Sequence, residues 1–155
     1  MGEIHTDSGK STMNQAALLG TWKLSSYVVT ADTGEESMPY GEHPMGFLNY
    51  SADGRMQVIG TASARAARQE SASTDEDQVS LYRTMFAYAG RYSVAQDQVT
   101  HHVDISWNEA WSGTDQVRNF EVRGNTLTIT SRFTDPATGT ENLYVLIWEK
   151  VADLR

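Results

Sequence analysis

From Thr21 onward, apolar and polar residues alternate with a period close to two, the pattern of strands that bury one face. In the run from Thr21 to Thr30, Trp22, Leu24, Ser26 and Val28 share one face, and Lys23, Ser25, Tyr27 and Val29 share the other. A loop rich in Asp, Gly, Glu and Pro follows from Ala31 to Pro44. The next runs, Met45 to Tyr50 and Arg55 to Thr61, flank the turn Ser51-Ala52-Asp53-Gly54 and predict a hairpin. The texture then changes, because Ala62 to Gln78 is small, polar and charged. Asp75, Glu76 and Asp77 suit the first turn of a helix, and Val79, Tyr82, Phe86 and Ala89 recur at helical spacing. One helix is predicted near residues 76–88, ending at Gly90. Five further strand-like runs follow: Arg91 to Ala95, Gln98 to Trp107, Asp115 to Val122, Thr126 to Phe133 and Glu141 to Lys150.

The pattern predicts an all-β fold of eight antiparallel strands with one helix inserted between the third and fourth. Short turns between successive strands favour a meander, and aromatic residues at both ends favour closure into an up-and-down barrel over a sandwich. Gly20-Thr21-Trp22 at the mouth of the first strand suggests a barrel floor. Closure would bring Trp22 and Trp148 together, with Lys150 stacked on Trp22.

At 155 residues the chain is long enough for one domain with a real core. Residues 1–15 are expected to be a flexible head or tag, with a helical turn at Ala16 to Leu19, and 16–152 a single barrel domain. A net charge of -8 argues against a general nucleic-acid binder and against docking to an anionic membrane. The absence of cysteine excludes disulfides, thiolate metal sites and cysteine nucleophiles. The polar head lacks the apolar stretch of a signal peptide, so a cytoplasmic location is expected. No phosphate-binding glycine loop or nucleophile elbow appears, so no cofactor is expected. No metal site is expected either, because neighbouring strand residues such as His101 and His102 diverge.

Several segments occur together in order. They are Leu19-Gly20-Thr21-Trp22-Lys23-Leu24, the stretch Gly46 to Met56, Tyr88-Ala89-Gly90-Arg91-Tyr92, His101-His102-Val103, Trp111 to Arg118, and Leu146-Ile147-Trp148-Glu149-Lys150. In these the chain resembles the lipocalin-like domain family of bacteria and fungi from about residue 18 to 151. The resemblance implies the barrel and a ligand-sized interior, and no single reaction. The broad class contains binders as well as enzymes that cyclise or isomerise hydrophobic natural products. Unlike secreted lipocalins, the chain has no cysteine, and its expected helix lies between strands three and four.

Val99, His101, Val103, Ile105 and Trp107 fall on one face of their strand, which predicts His101 inside and His102 outside unless a bulge exchanges them. An interior His can serve as general acid or base near neutral pH, or be a buried His satisfied by a neighbouring hydroxyl. Gln116, Arg118, Phe120 and Val122 share a face, which brings Arg118 into the lumen. A buried Arg needs an anionic or carbonyl partner: a ligand carboxylate or enolate, or a structural carboxylate such as Glu109. Tyr92 is the expected orienting hydroxyl. By alternation, Ser26, Phe47, Asn49, Met56, Val58, Ile129 and Phe133 should also line the lumen. From the insertion, Tyr82, Met85, Phe86 and Tyr88 should cap one mouth.

The expected function is a cofactor-independent enzyme that encloses a hydrophobic, oxygenated, polyketide- or terpenoid-like molecule and cyclises, isomerises or dehydrates it. His101 would move the proton and Arg118 would hold developing negative charge. The alternatives are a carrier or sensor of a small hydrophobic ligand, and an interaction module with a filled lumen. Homodimerisation is left open.

Overall fold

The computed structural model describes residues 14–63, 65 and 74–152. The stretch 66–73 of the polar segment lies outside the described residues. Residues 14–18 are helical (α1), so the turn expected at Ala16 starts inside the expected head. The chain continues as β1 (Gly20–Thr30), β2 (Glu36–Ser37), β3 (Met45–Tyr50), β4 (Arg55–Thr61), α2 (Asp75–Arg83), β5 (Met85–Ala95) and β6 (Gln98–Ser106). A single 3-10 turn at Glu109–Trp111 precedes β7 (Asp115–Arg123), β8 (Thr126–Thr134) and β9 (Glu141–Lys150).

Every neighbouring pair is antiparallel, in the order β2-β1-β3-β4-β5-β6-β7-β8-β9. β1 also pairs with β9, from Trp22 opposite Lys150 to Thr30 opposite Leu143. That pairing closes eight strands into a barrel and excludes the sandwich, while β2 is a two-residue addition to the end of β1. The helix falls between the third and fourth barrel strands, as the sequence predicts.

The helix is shorter than expected. Thr74 caps its start by accepting from the Asp77 N–H, and the Thr84 hydroxyl donates to the Ser80 carbonyl at its end. Met85 already belongs to β5, which pairs with β4 from Thr61 opposite Met85 to Arg55 opposite Arg91. The helical spacing of Phe86 and Ala89 is a coincidence that the β4 ladder overrides.

The floor is built as Gly20-Thr21-Trp22 suggests. The Trp22 indole N–H donates to the Leu18 carbonyl at 2.9 Å, and the Lys150 ammonium lies 4.6 Å from the Trp22 ring centroid. That ammonium also donates to the Leu19 carbonyl. Gly20 has φ +117, and a side chain there would collide with Lys150. Leu18, Leu48, Tyr50, Met56, Tyr92, Val99, Phe120, Leu127 and Trp148 pack with Trp22 into one buried cluster that fills this end. Each large apolar side chain so buried contributes roughly 1.5–3 kcal/mol.

Two bulges change which residues face inward. On β1 the register to β9 shifts between Leu24 and Ser26. Leu24 stands opposite Trp148, but beyond the shift Tyr27 stands opposite Leu146, so Tyr27 turns inward and Ser26 outward. On β6, Gly90 of β5 is opposite Val103 while Ala89 is opposite Ile105, leaving Asp104 as the extra residue. A Cβ on Gly90 would lie 1.9 Å from the His102 carbonyl oxygen, so only glycine admits this bulge. Beyond it Ile105 points to solvent, 66% exposed.

Candidate ligand-binding site

Above the packed floor lies a cavity of about 660 Å³, within the range of small-molecule sites. Its lower wall is Leu48, Val58, Ile129, Leu146 and Trp148, and its upper wall is aromatic. Tyr27 and Tyr40 stack at 4.7 Å with their rings 6° apart, and Phe86 and Tyr144 pack against Tyr27. On the other side Trp107 meets Trp111 edge-on at 5.5 Å. Period-two placement on β4, β5, β8 and β9 puts Val58, Phe86, Ile129 and Leu146 on the inner face.

His101, on β6 before the bulge, faces inward and is 2% exposed. Its Nε2 lies 2.6 Å from the Tyr50 hydroxyl and its Nδ1 lies 2.7 Å from the Tyr88 hydroxyl. Burial, then Arg118, then His102 pull its pKa down to about 3, so the ring is neutral at physiological pH. Burial likewise pushes the Tyr88 hydroxyl up to about 12 and the Tyr50 hydroxyl well above its ordinary value. All three groups are therefore neutral.

Hydrogen-bond accounting then fixes the direction of the chain. Tyr50 is 1% exposed and His101 is the one hydrogen-bonding partner of its hydroxyl among the described residues, so its buried O–H donates to Nε2. A neutral imidazole that accepts at Nε2 carries its proton at Nδ1. The Nδ1–H then donates to the Tyr88 oxygen. The Tyr88 hydroxyl hydrogen is left free, and Tyr88 lines the cavity.

Arg118, on β7, also lines the cavity and is 8% exposed. It donates to the Val117 carbonyl at 3.1 Å and to Gln116 Oε1 at 3.3 Å. Its guanidinium lies over Phe133 at 5.1 Å and Trp111 at 5.8 Å. Burial lowers its pKa from the ordinary value, against the opposing pull of Tyr88, Tyr50 and Tyr27. Among the described residues no carboxylate pairs with it, and Glu109 instead accepts weakly from Ser112.

The structure brings His101, Arg118, Val58, Phe86, Tyr88, Trp107, Ile129 and Phe133 to one cavity. Met56, Val103 and Phe120 face inward but are buried below or beside it. Tyr92 belongs to the floor, where its hydroxyl donates to the Ser51 carbonyl at 2.9 Å, so it cannot orient a ligand. Tyr88 takes that place. Phe47 and Asn49 point outward, because Leu48 and Tyr50 occupy the inner face of β3. Ser26 and Ile105 are turned outward by the two bulges. Tyr82 packs on Trp107 from outside, at 6.3 Å, and is half exposed. Tyr50, Tyr27, Tyr40, Trp111 and Tyr144 are site residues that alternation missed, whereas Gln116 lines the cavity beside Arg118, on the face that alternation gives it. Tyr50 was readable from the hairpin register, since Met56 opposite Tyr50 and Val58 opposite Leu48 share one face.

Outside the barrel, His102 bridges Asp115 at 2.8 Å and Ser93 at 2.9 Å. Among the described residues no three His, Cys, Asp or Glu side chains are grouped to hold a metal ion, and no helix is long and apolar enough to cross a membrane.

A closed antiparallel barrel, plugged at one end and holding an aromatic cavity with a few polar groups, is a small-molecule-binding architecture. The sequence profile of the lipocalin-like domain matches residues 19–151, and the chain belongs to that family. No curated protein gives a significant match to the chain.

Proposed function

We propose that the lumen encloses a hydrophobic, oxygenated small molecule and promotes its cyclisation, isomerisation or dehydration without a cofactor. The observation that carries this reading is the buried Tyr50–His101–Tyr88 chain, which ends on a Tyr88 hydroxyl that lines an otherwise aromatic cavity. Tyr88 donates to a ligand oxygen, and Arg118 meets the negative charge that grows there. His101 acts through Tyr88 and does not itself touch the ligand, because both its nitrogens are engaged. The enclosing rings hold the ligand in one folded shape and keep water away.

One observation favours the carrier reading instead. A His held near pKa 3 is too weak a base to take a proton from carbon, and no other free base faces the cavity among the described residues. The two readings separate in one experiment. Small molecules retained by the purified full chain are identified by mass spectrometry, then re-incubated with wild type and with Tyr88→Phe. A product of equal mass and new retention time, or lighter by one water, formed by wild type only, supports the enzyme. Ligand recovered unchanged supports the carrier. Failure to retain any small molecule would sink both.

A further inference from the structure

The cavity's polar groups are unbalanced in a way that names its ligand more closely. Among the described residues, Arg118 is the one charged residue on the lining, and no Asp or Glu lines it. Two of its N–H groups are used by Val117 and Gln116. A guanidinium has five, so three have no acceptor among the described residues. Tyr88 adds an O–H that, with its oxygen accepting from the His101 Nδ1–H, has no acceptor among the described residues. Gln116 Oε1, an acceptor at this level, is taken by Arg118. What faces the ligand here is a cluster of donors around a buried positive charge.

A neutral carbonyl satisfies donors but leaves that charge uncompensated in a buried, aromatic surrounding. An oxyanion satisfies both. Two lone-pair-rich oxygens on one planar group also suit two donors of different kinds, one charged and one neutral. Phe133 and Trp111 flank the guanidinium at 5.1 and 5.8 Å, which places its charge between ring faces on the cavity wall. Above it the wall of Tyr27, Tyr40, Phe86 and Tyr144 offers ring faces and edges, which favours a flat, unsaturated body.

We propose that the lumen selects a carboxylate, bound as the anion by Arg118 and Tyr88, with an unsaturated body against the aromatic wall. This rests on the ligand-binding reading of the cavity and narrows it to one charge class. Neutral ketones, esters and amides of the same shape are then poor ligands.

The test is equilibrium dialysis of the full chain at pH 7.5 against 2-naphthoate and the neutral, near-isosteric 2-naphthamide. Wild type should bind naphthoate at least tenfold more tightly than the amide. In Arg118→Met the naphthoate affinity should fall at least tenfold while amide binding holds or improves. Arg118→Lys, which keeps the charge but not the fork, should retain part of the preference, and thermal melts confirm that both variants fold. Equal binding of the two probes by wild type, or an unchanged preference in Arg118→Met, overturns the anionic ligand while leaving a binding lumen in place. Binding of neither probe at millimolar concentration overturns the lumen reading together with it.

Discussion

Lowering the pH from 7 to 5 should destabilise this barrel through one buried side chain. His101 has its pKa pulled from 6.5 to about 3 in the folded protein, chiefly by burial. In the unfolded chain it takes up a proton below about 6.5, while the folded barrel keeps it neutral. The unfolded state therefore binds more protons through the window between those two values. The stability that His101 contributes is fully present above about pH 6.5 and is lost as pH falls toward 3. For one proton the slope is about 1.4 kcal/mol per pH unit, so by pH 5 the loss is about 2 kcal/mol. Urea unfolding of wild type and of His101→Gln at pH 7 and pH 5 measures it. The amide can still donate and accept between Tyr50 and Tyr88 but does not titrate. Carboxylates and the other histidines contribute equally to both proteins, so the difference between the two losses isolates His101. Wild type should lose about 2 kcal/mol more than the variant. Equal losses would show that the imidazole is charged in the folded barrel, and the assigned direction of the Tyr50–His101–Tyr88 chain would fall with it.

Two further perturbations probe the frame around the site. Gly90→Ala puts a Cβ 1.9 Å from the His102 carbonyl oxygen, a backbone atom that cannot yield, and should cost about 3 kcal/mol or more in urea unfolding. A loss under about 0.5 kcal/mol would contradict the Asp104 bulge. Lys150→Met removes the cation 4.6 Å from the Trp22 ring and the bond to the Leu19 carbonyl, and should cost about 1–2 kcal/mol by the same measurement. An unchanged unfolding midpoint would mean that Lys150 adds nothing to floor closure.

The strands, their order and the floor were legible because they depend on alternation and turn chemistry, which are local. Arg118 was legible for the same reason, since β7 keeps one register from Gln116 through Phe120 to Val122. His101 precedes the β6 bulge, so its inward direction survived. Ile105 follows the bulge and was inverted. Ser26 and Tyr27 exchange faces for the same reason on β1. A bulge is invisible to alternation because the residues on either side each fit a strand. The misplacement of Phe47 and Asn49 has a different origin. Both faces of β3 are apolar enough to be buried, and only the pairing of Tyr50 with Met56 decides between them. Tyr88 was expected at the barrel mouth but on the helix, since Val79, Tyr82, Phe86 and Ala89 fit a helical period, whereas the helix stops at Arg83 and Tyr88 lies on β5.

These misreadings cluster where the site is, and that has a physical cause. A barrel with unbroken registers would keep Ser26 on the inner face and leave Tyr27 outside. The shift on β1 turns the Tyr27 ring into the cavity, where it stacks on Tyr40 and packs against Phe86. The shift on β6 turns the isoleucine out, and Trp107 beyond it joins Trp111 against the wall. Below both shifts the registers are regular and the interior is filled by side chains. Above them it is hollow and aromatic. His101 and Arg118 lie near this boundary, on a packed floor whose burial holds the imidazole neutral and which, among the described residues, gives the guanidinium only two acceptors. A barrel selected for stability alone would place an apolar residue at 118 and gain from it. The proposed anionic ligand would supply the acceptors and the charge that the floor withholds.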